Sequence, residues 1–339
     1  MNLSISDIAD KAGVSKMTVS RVINNSPNVR AETRARIEEI IAECGYTRNV
    51  LANSLSKGVA LDVVAVITGI DDLFEKHYFT EMIRQIESAL SSADHSVYIY
   101  NVRETEDRVL IARKLKHIAD SYQSRMIKGA VVIAPPVADN RLEFLQEQGV
   151  RGVIVGSISS VSGFASFDVD DRTSVREVVH RFVQAGHRSI GMLTGPRYMS
   201  SALQRENAFR ENLKKQALSL KEDHIRNGSY TRGEGKKAAL EVLRQEDRPT
   251  ALFAANDDMA LGVYDAAAEL GLRVPQDISV IGFDDIRAAS RTVPGLSTVR
   301  QPYSDFAALT AEVFTHADFQ GVHTVPAEYI ERESVMNIT

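Results

Sequence analysis

Residues 5–24 read ISDIADKAGVSKMTVSRVIN, and this stretch decides the fold of the N-terminal part of the chain. Apolar residues recur at helical spacing in two short runs, which predicts two amphipathic helices. The first run consists of Ile5, Ile8, Ala9 and Ala12, and the second of Val19 and Val22. Gly13 lets the chain turn sharply between them, and Ser15 can cap the second helix. Two short helices at a fixed angle are typical of a helix-turn-helix, whose second helix enters the major groove of DNA.

The polar face of the second predicted helix suits DNA recognition. At ~100° per residue its members fall within an arc of roughly 140°. They are Lys16, Met17, Ser20 and Arg21. Lys and Arg can donate to guanine edges, and Met can contact a thymine methyl group, so we predict that these four side chains read bases. Ser15 and Thr18 are predicted to contact phosphates. The alternative is a solvated polar face, in which an exposed Met beside two cations would have little structural use.

Two short motifs carry a family resemblance. Ala12-Gly13-Val14-Ser15 and Thr18-Val19-Ser20-Arg21-Val22 resemble the DNA-binding head of the lactose repressor (LacI/GalR) family. The resemblance continues through Glu32-Thr33-Arg34, Gly45-Tyr46 and Ala52-Asn53-Ser54-Leu55, and then over nearly the whole chain. One departure is Arg30, where the family usually places a Ser that caps the third helix, so the start of this helix is not settled by the resemblance.

Composition limits the class of protein. A chain of 339 residues suggests two or three domains, and 44% hydrophobic with 25% charged residues is typical of soluble globular proteins. The single cysteine, Cys44, excludes a disulfide framework and a multi-cysteine metal site. No apolar run reaches ~18 residues and no secretory signal is recognisable, so we expect a cytoplasmic protein without a membrane span. Residues 1–60 carry a net charge of +2 in a chain of net charge −5, which agrees with a DNA-binding head on an acidic body.

A short segment follows the predicted head. Residues 49–56 can form about two helical turns, too few for a stable isolated helix, so they form a linker or fold on binding. Leu51 and Leu55 share one face of this segment. The resemblance implies a hinge helix in which Leu55 wedges into the DNA minor groove and Leu51 packs against the partner's hinge. The alternative is a leucine pair docked on the body of the protein.

From residue 62 onward, short β-branched runs alternate with amphipathic stretches, which predicts parallel sheets covered by helices on both faces. The predicted strands are Val63–Thr68, Val97–Tyr100, Ala130–Ala134, Val153–Val155, Ser189–Thr194, Ala251–Ala254 and Ile278–Phe283. The charged stretch 105–125 is predicted to be a solvated helix and receives no function.

The fold class that we expect is an N-terminal all-α helix-turn-helix head with a hinge helix, followed by an α/β periplasmic-binding-protein-like core of two parallel-sheet subdomains. The expected domains are the head at 1–48, the hinge at 49–60 and the core at 61–339. By the resemblance, the N-subdomain covers about 61–167 and 302–329, and the C-subdomain covers about 168–298 and 330–339.

Polar side chains follow several predicted strands, where open α/β sheets bind ligands. Asn256 follows one strand, Asp284 another, and Arg205 lies beyond a third. An Arg, a carboxylate and an amide suit vicinal hydroxyls. The family resemblance implies that these three residues hold ligand hydroxyls, that Tyr230 stacks on a sugar face, and that Phe79 and Gln301 line the other side.

Simpler interpretations stand beside these roles. Asp170, Asp171 and Asp257 precede helices and are expected to be N-caps. Arg205 could form a helix-surface salt bridge, and Tyr230 could be a packing residue. Gly156 lies where several sugar-responsive family members carry a polar residue, which weakens the case for a typical sugar.

No catalytic motif is complete. The phosphate-loop pattern fails at Gly235-Lys236-Lys237, no Ser lies in a G-x-S-x-G elbow, and the eight histidines show no metal-binding spacing. We therefore expect a non-enzyme with no cofactor and no metal.

The sequence predicts a DNA-binding transcriptional regulator, a repressor, that binds double-stranded operator DNA as a homodimer. A small-molecule effector, a sugar or sugar derivative, would control its operator affinity. One alternative is a member of the same family controlled by a protein corepressor, with a vestigial cleft. Another is a sugar kinase fused to a DNA-binding head, against which the missing phosphate loop argues. A sugar-transport protein is excluded by the head.

Overall fold

The computed structural model describes residues 5–23, 26–44, 62–316 and 321–338. The predicted hinge contacts of Leu51 and Leu55 lie outside these residues. The chain divides into two compact units, Met1–Val59 and Ala60–Thr339.

The first unit is a small helical domain. Its helices are α1 (Ile5–Ala12), α2 (Lys16–Ile23) and α3 (Ala31–Glu43). Their apolar faces meet in one core that contains Ile8, Ala9, Ala12, Val19, Val22 and Ile37. The hydroxyl of Ser15 accepts a hydrogen bond from the backbone N–H of Thr18 at 3.2 Å, which confirms the predicted cap of α2. Arg30 precedes α3 without a side-chain cap bond, so α3 begins without the polar cap usual at this position.

The second unit contains two parallel sheets. The larger sheet has the strand order β11-β5-β4-β3-β1-β2. Its strands are β1 (Val63–Thr68), β2 (Ser96–Asn101), β3 (Gly129–Ile133), β4 (Gly152–Val155), β5 (Phe164–Val169) and β11 (Val322–Val325). The smaller sheet has the order β7-β6-β8-β9, with β6 (Ile190–Thr194), β7 (Ile225–Asn227), β8 (Ala251–Ala254) and β9 (Ser279–Ile281). An antiparallel pair, β10 (Thr298–Arg300) and β12 (Glu328–Ile330), forms a separate two-stranded sheet.

Helices cover both sheets. Those that accompany the larger sheet, which we call the N-subdomain, are α4 (His77–Ser92), α5 (Arg108–Gln123), α6 (Asn140–Glu147) and α11 (Tyr303–Thr315). Those of the smaller sheet, the C-subdomain, are α7 (Asp171–Gln184), α8 (Ser200–Lys215), α9 (Arg232–Leu243) and α10 (Asp257–Glu269). Along β1, Val64 and Val66 join one apolar core while Ala65 and Ile67 join another, because successive side chains of a strand point to opposite faces.

The predicted fold class is confirmed, and all seven predicted strands form within a few residues of their expected ends. Two interpretations need correction. The stretch 105–125 is not a merely solvated helix, because Leu115 and Ile118 of α5 are buried against the sheet. Strands β5, β7, β10, β11 and β12 were not predicted, nor was α11. No helix of the described ranges is long and apolar enough to cross a membrane.

Candidate functional site

A cavity of about 80 Å³ lies between the two subdomains, at the carboxyl ends of their strands. All six side chains that the sequence nominated for a ligand line it, namely Phe79, Arg205, Tyr230, Asn256, Asp284 and Gln301. They come from both subdomains and from places 222 positions apart in the sequence at the extremes. The fold therefore brings the whole predicted set to one cavity.

Arg205 is the central cation of the cavity. It lies on α8, is 4 % exposed, and packs its guanidinium 3.6 Å from the ring centre of Phe283. Its Nε donates to Asp171 Oδ1 at 2.8 Å, and its Nη1 donates to the carbonyl oxygen of Ala255 at 2.6 Å. These bonds fix the plane of the guanidinium while using two of its five N–H donors. The interpretation of Arg205 as a helix-surface salt bridge is wrong, because the ion pair is fully buried.

Asp284 and Gln301 form a buried polar pair in the same cavity. Gln301 Nε2 donates to Asp284 Oδ1 at 3.1 Å, and both residues are about 5 % exposed. Burial raises the pKa of Asp284 to about 7, although the guanidinium of Arg205 opposes the shift. The backbone of Asp284 has φ 116°, a region that favours glycine. Such strain persists only where the surrounding structure enforces it, and it is concentrated at ligand sites.

Tyr230 presents an aromatic ring to the cavity. Its hydroxyl shares a hydrogen bond of 3.0 Å with Ser201, and its backbone has φ 56°. The ring lies against Gly195, where an added Cβ would come within 2.2 Å of the ring carbons. Asn256 donates to the carbonyl of Tyr230 at 3.4 Å and also caps α10 by accepting from Met259 N at 3.0 Å. Asn256 thus supports the tyrosine and starts the helix in addition to lining the cavity.

The structure corrects two of the three expected N-caps. Asp170 caps α7 by accepting from the backbone of Thr173 at 3.0 Å, as predicted. Asp171 is instead the buried ion-pair partner of Arg205. Asp257 is also buried, and it accepts from Thr298 Oγ1 at 2.6 Å and from the backbone of Ile286 at 2.9 Å. Both carboxylates therefore bind residues next to the cavity instead of capping their helices.

The polar side chains of the cavity that the sequence did not predict as ligand contacts include Tyr78 and Asp168. Asp168 is the penultimate residue of the unpredicted strand β5, so recognising that strand would have placed a carboxylate at the cavity. The Tyr78 hydroxyl lies 2.5 Å from where a Cβ of Gly156 would be. Tyr78 therefore occupies the space that a polar side chain at position 156 would need, which explains why glycine stands there.

The subdomains touch each other around the cavity. Ser200 Oγ of α8 donates to Ser157 Oγ at 3.2 Å, and Val137 N donates to the carbonyl of Tyr198 at 2.9 Å. A third contact joins His77 Nδ1 to Asp258 Oδ1 at 3.2 Å. Contacts between the subdomains therefore lie beside the cavity. No cluster of three or more potential metal ligands occurs in the described parts of the chain.

The head presents a separate candidate surface on α2. Val19 and Val22 are buried in the head core, while Met17 is 64 % exposed. Lys16 and Arg21 are exposed beside it, and Ser20 is half-buried. The Ser15 hydroxyl contacts that of Thr18 at 2.9 Å at the start of the helix.

Residues 4–49 match the model of the lacI family of bacterial regulatory proteins, and residues 179–335 match a periplasmic binding protein-like domain. The transcriptional repressor PurR of Proteus mirabilis is 32% identical over 301 residues, which cover 88% of this chain and 85% of PurR. The chain belongs to the LacI family.

Solved structures agree with this assignment. The chain is similar to the lac repressor dimer bound to operator and the anti-inducer ONPF, with a TM-score of 0.86, 25% identity, and coverage of 99% of this chain and 100% of that one. It is also similar to the regulator CelR in complex with cellobiose, with a TM-score of 0.72, 25% identity, and coverage of 98% and 100%. The helical head and the two-sheet core are therefore those of a LacI-family transcriptional repressor.

Proposed function

We propose that this LacI-family chain is a homodimeric repressor that binds double-stranded operator DNA through α2 and is controlled by a sugar in the cavity between its subdomains. The observation that carries the effector proposal is the convergence of the six nominated side chains on that one cavity. Arg205, Asp284 and Gln301 supply both donors and acceptors, and Tyr230 supplies an aromatic face. This combination suits a ring that bears hydroxyls.

A ligand in this cavity would contact both subdomains. Contacts such as Ser157–Ser200 and His77–Asp258 join the subdomains. A ligand that binds residues of both subdomains stabilises one relative arrangement over others, and operator affinity would follow that arrangement. The cellobiose complex of CelR supports a carbohydrate. A vestigial cleft, which the protein-corepressor alternative requires, is not what these polar linings suggest.

The effector proposal is tested by calorimetry on the full chain with a panel of hexoses and disaccharides. We expect at least one to bind, and we expect Asp284→Ala to weaken it by about 1–3 kcal/mol because Gln301 and the ligand lose an acceptor. The exposed Asp120, which forms an ion pair with Lys116 on α5, provides the matched control Asp120→Ala, whose affinity should be unchanged. Equal affinity of the Asp284 variant would place the ligand elsewhere, and no response to any sugar would refute a sugar effector.

The DNA proposal is tested after an operator has been selected from random duplexes. Arg21→Ala should cost about 1–3 kcal/mol on that operator, relax the preference at one base pair in each half-site, and change binding to random DNA much less. Arg113→Ala, which removes the same charge from the exposed face of α5, is the control. Equal weakening on operator and random DNA would show that Arg21 does not read bases. Sedimentation should show a dimer, and a tetramer at micromolar concentration would contradict the assembly.

A further inference from the structure

One buried carboxylate of the cavity has an oxygen without a donor. Asp168 is 3 % exposed and lines the cavity near the carboxyl end of β5. Its Oδ1 accepts from the backbone N–H of Val169 at 2.8 Å. Its Oδ2 has no hydrogen-bond partner among the residues that the structure describes. Buried polar atoms of native proteins are nearly always paired, so this oxygen points to a ligand.

The nearby cations do not compensate Asp168. The guanidinium of Arg205 binds Asp171 at 2.8 Å. Lys76 also lines the cavity and is half-buried. Within the described ranges, neither Arg205 nor Lys76 forms an ion pair with Asp168. The charge of Arg205 lowers the pKa of Asp168 without direct contact.

Carboxylates are therefore in excess around the cavity. Arg205 and Asp171 cancel each other, and His77 binds Asp258 at 3.2 Å. Asp284 is held by the neutral amide of Gln301, so it and Asp168 both keep their charge when ionised. A ligand hydroxyl would bring one donor and no charge to Asp168. An ammonium group would bring three donors and a full positive charge, which counts most where water is excluded.

We propose that the effector carries an ammonium group that binds Asp168, so that the cavity selects an amino sugar over its neutral parent sugar. The inference rests on the proposed sugar effector. Arg205 and Asp284 remain available for ring hydroxyls and Tyr230 for the ring face, while Asp168 reads the amine.

The test is calorimetry on the full chain with matched ligands. The probes are 2-amino- and 6-amino-deoxyhexoses, their parent hexoses, and the N-acetyl derivatives, which keep the nitrogen but lose the charge. The variant is Asp168→Asn, which keeps the shape and removes the charge. Asp170→Asn is the matched control, because Asp170 lies two residues away and caps α7 instead of lining the cavity. Thermal unfolding without ligand is measured first, to check that both variants fold.

We expect an amino sugar to bind wild type at least tenfold more tightly than its parent and its N-acetyl derivative. Asp168→Asn should abolish this preference, and Asp170→Asn should retain it. A parent hexose that binds as tightly as its amine, or an amine preference that survives in Asp168→Asn, would overturn the inference and leave the sugar effector standing. The absence of binding by every probe and every hexose would overturn the proposed effector itself, and the inference with it.

Discussion

Replacing Asp168 by Asn should remove a pH dependence of stability that the wild-type chain carries. Burial, and next the carboxylate of Asp171, raise the pKa of Asp168 from 3.8 to about 7, while the guanidinium of Arg205 partly opposes them. The other titratable groups that line the cavity in the described part of the chain include Lys76, His77, Tyr78, Asp258 and Asp284. Between pH 4 and 7 the folded chain keeps a proton on Asp168 that the unfolded chain releases. Stability is therefore greatest at the acidic end of this range and falls until the pH passes about 7.

The size of the effect follows from the shift. Each pH unit between the two pKa values costs up to about 1.4 kcal/mol, and the slope halves as the pH reaches the folded pKa. Ionisation of Asp168 should therefore lower the free energy of unfolding by about 2 kcal/mol between pH 5 and pH 7. Asp284, whose pKa burial also raises to about 7, adds a similar slope that remains in the variant.

Urea unfolding at pH 5 and pH 7, without sugar, measures this difference. We expect the fall in stability to be about 2 kcal/mol smaller in Asp168→Asn than in wild type. Asp170→Asn should keep the wild-type fall, because its side chain is a half-buried helix cap. Equal falls in wild type and Asp168→Asn would refute the argument that Asp168 is buried without a compensating partner.

Two further predictions concern packing. Gly195→Ala would bring a Cβ to 2.2 Å from the ring of Tyr230, so the ring must move. Sugar affinity, measured by calorimetry, should then fall at least tenfold. The control is Gly233→Ala on α9, where an added Cβ meets nothing within 4 Å; it should leave sugar affinity unchanged and raise stability by roughly 0.5–1 kcal/mol. Val19→Ala, in the fully buried core of the head, should cost about 2 kcal/mol of head stability and weaken binding to all DNA, whereas Val109→Ala, at a side chain 75 % exposed, should change neither thermal unfolding nor DNA affinity.

The head was predictable because its signals are local. The spacing of Ile8, Ala12, Val19 and Val22 decides both helices and their shared core within about four turns of chain. The exposed position of Met17 follows from the same periodicity. Neither inference needs contacts with distant parts of the sequence.

The missed strands depend on distant partners. Strand β5 reads Phe-Ala-Ser-Phe-Asp-Val and is buried along its whole length, so it shows neither clear alternation nor a β-branched run. It forms because β4 and β11 pair with it on either side. Strands β10 and β12 have three residues each, and they pair with each other across 28 or more positions of sequence.

The sequence predicted several residues that line the cavity, but it did not predict how they pair with each other or how deeply they are buried. The topology rule for strand ends, together with the family resemblance, nominated side chains that the fold brings together. The pairing of Asp171 with Arg205 joins residues 34 positions apart, and the burial that isolates Asp168 depends on both subdomains. From the sequence alone, a carboxylate that precedes a predicted helix cannot be assigned either as an N-cap or as the buried partner of a distant side chain.

The costs to folding are concentrated at this cavity. Tyr230 and Asp284 have backbone conformations that favour glycine, and each such conformation costs on the order of 1–3 kcal/mol. Asp168 adds a buried carboxylate whose Oδ2 has no hydrogen-bond partner among the described residues. These three features do not improve the packing of the core, whereas a ligand with a hydroxylated ring and a cation could contact all three residues. Since the same carboxylate that destabilises the free protein above pH 5 would bind the ammonium group, ligand affinity should rise with pH over the range in which the stability of the free protein falls.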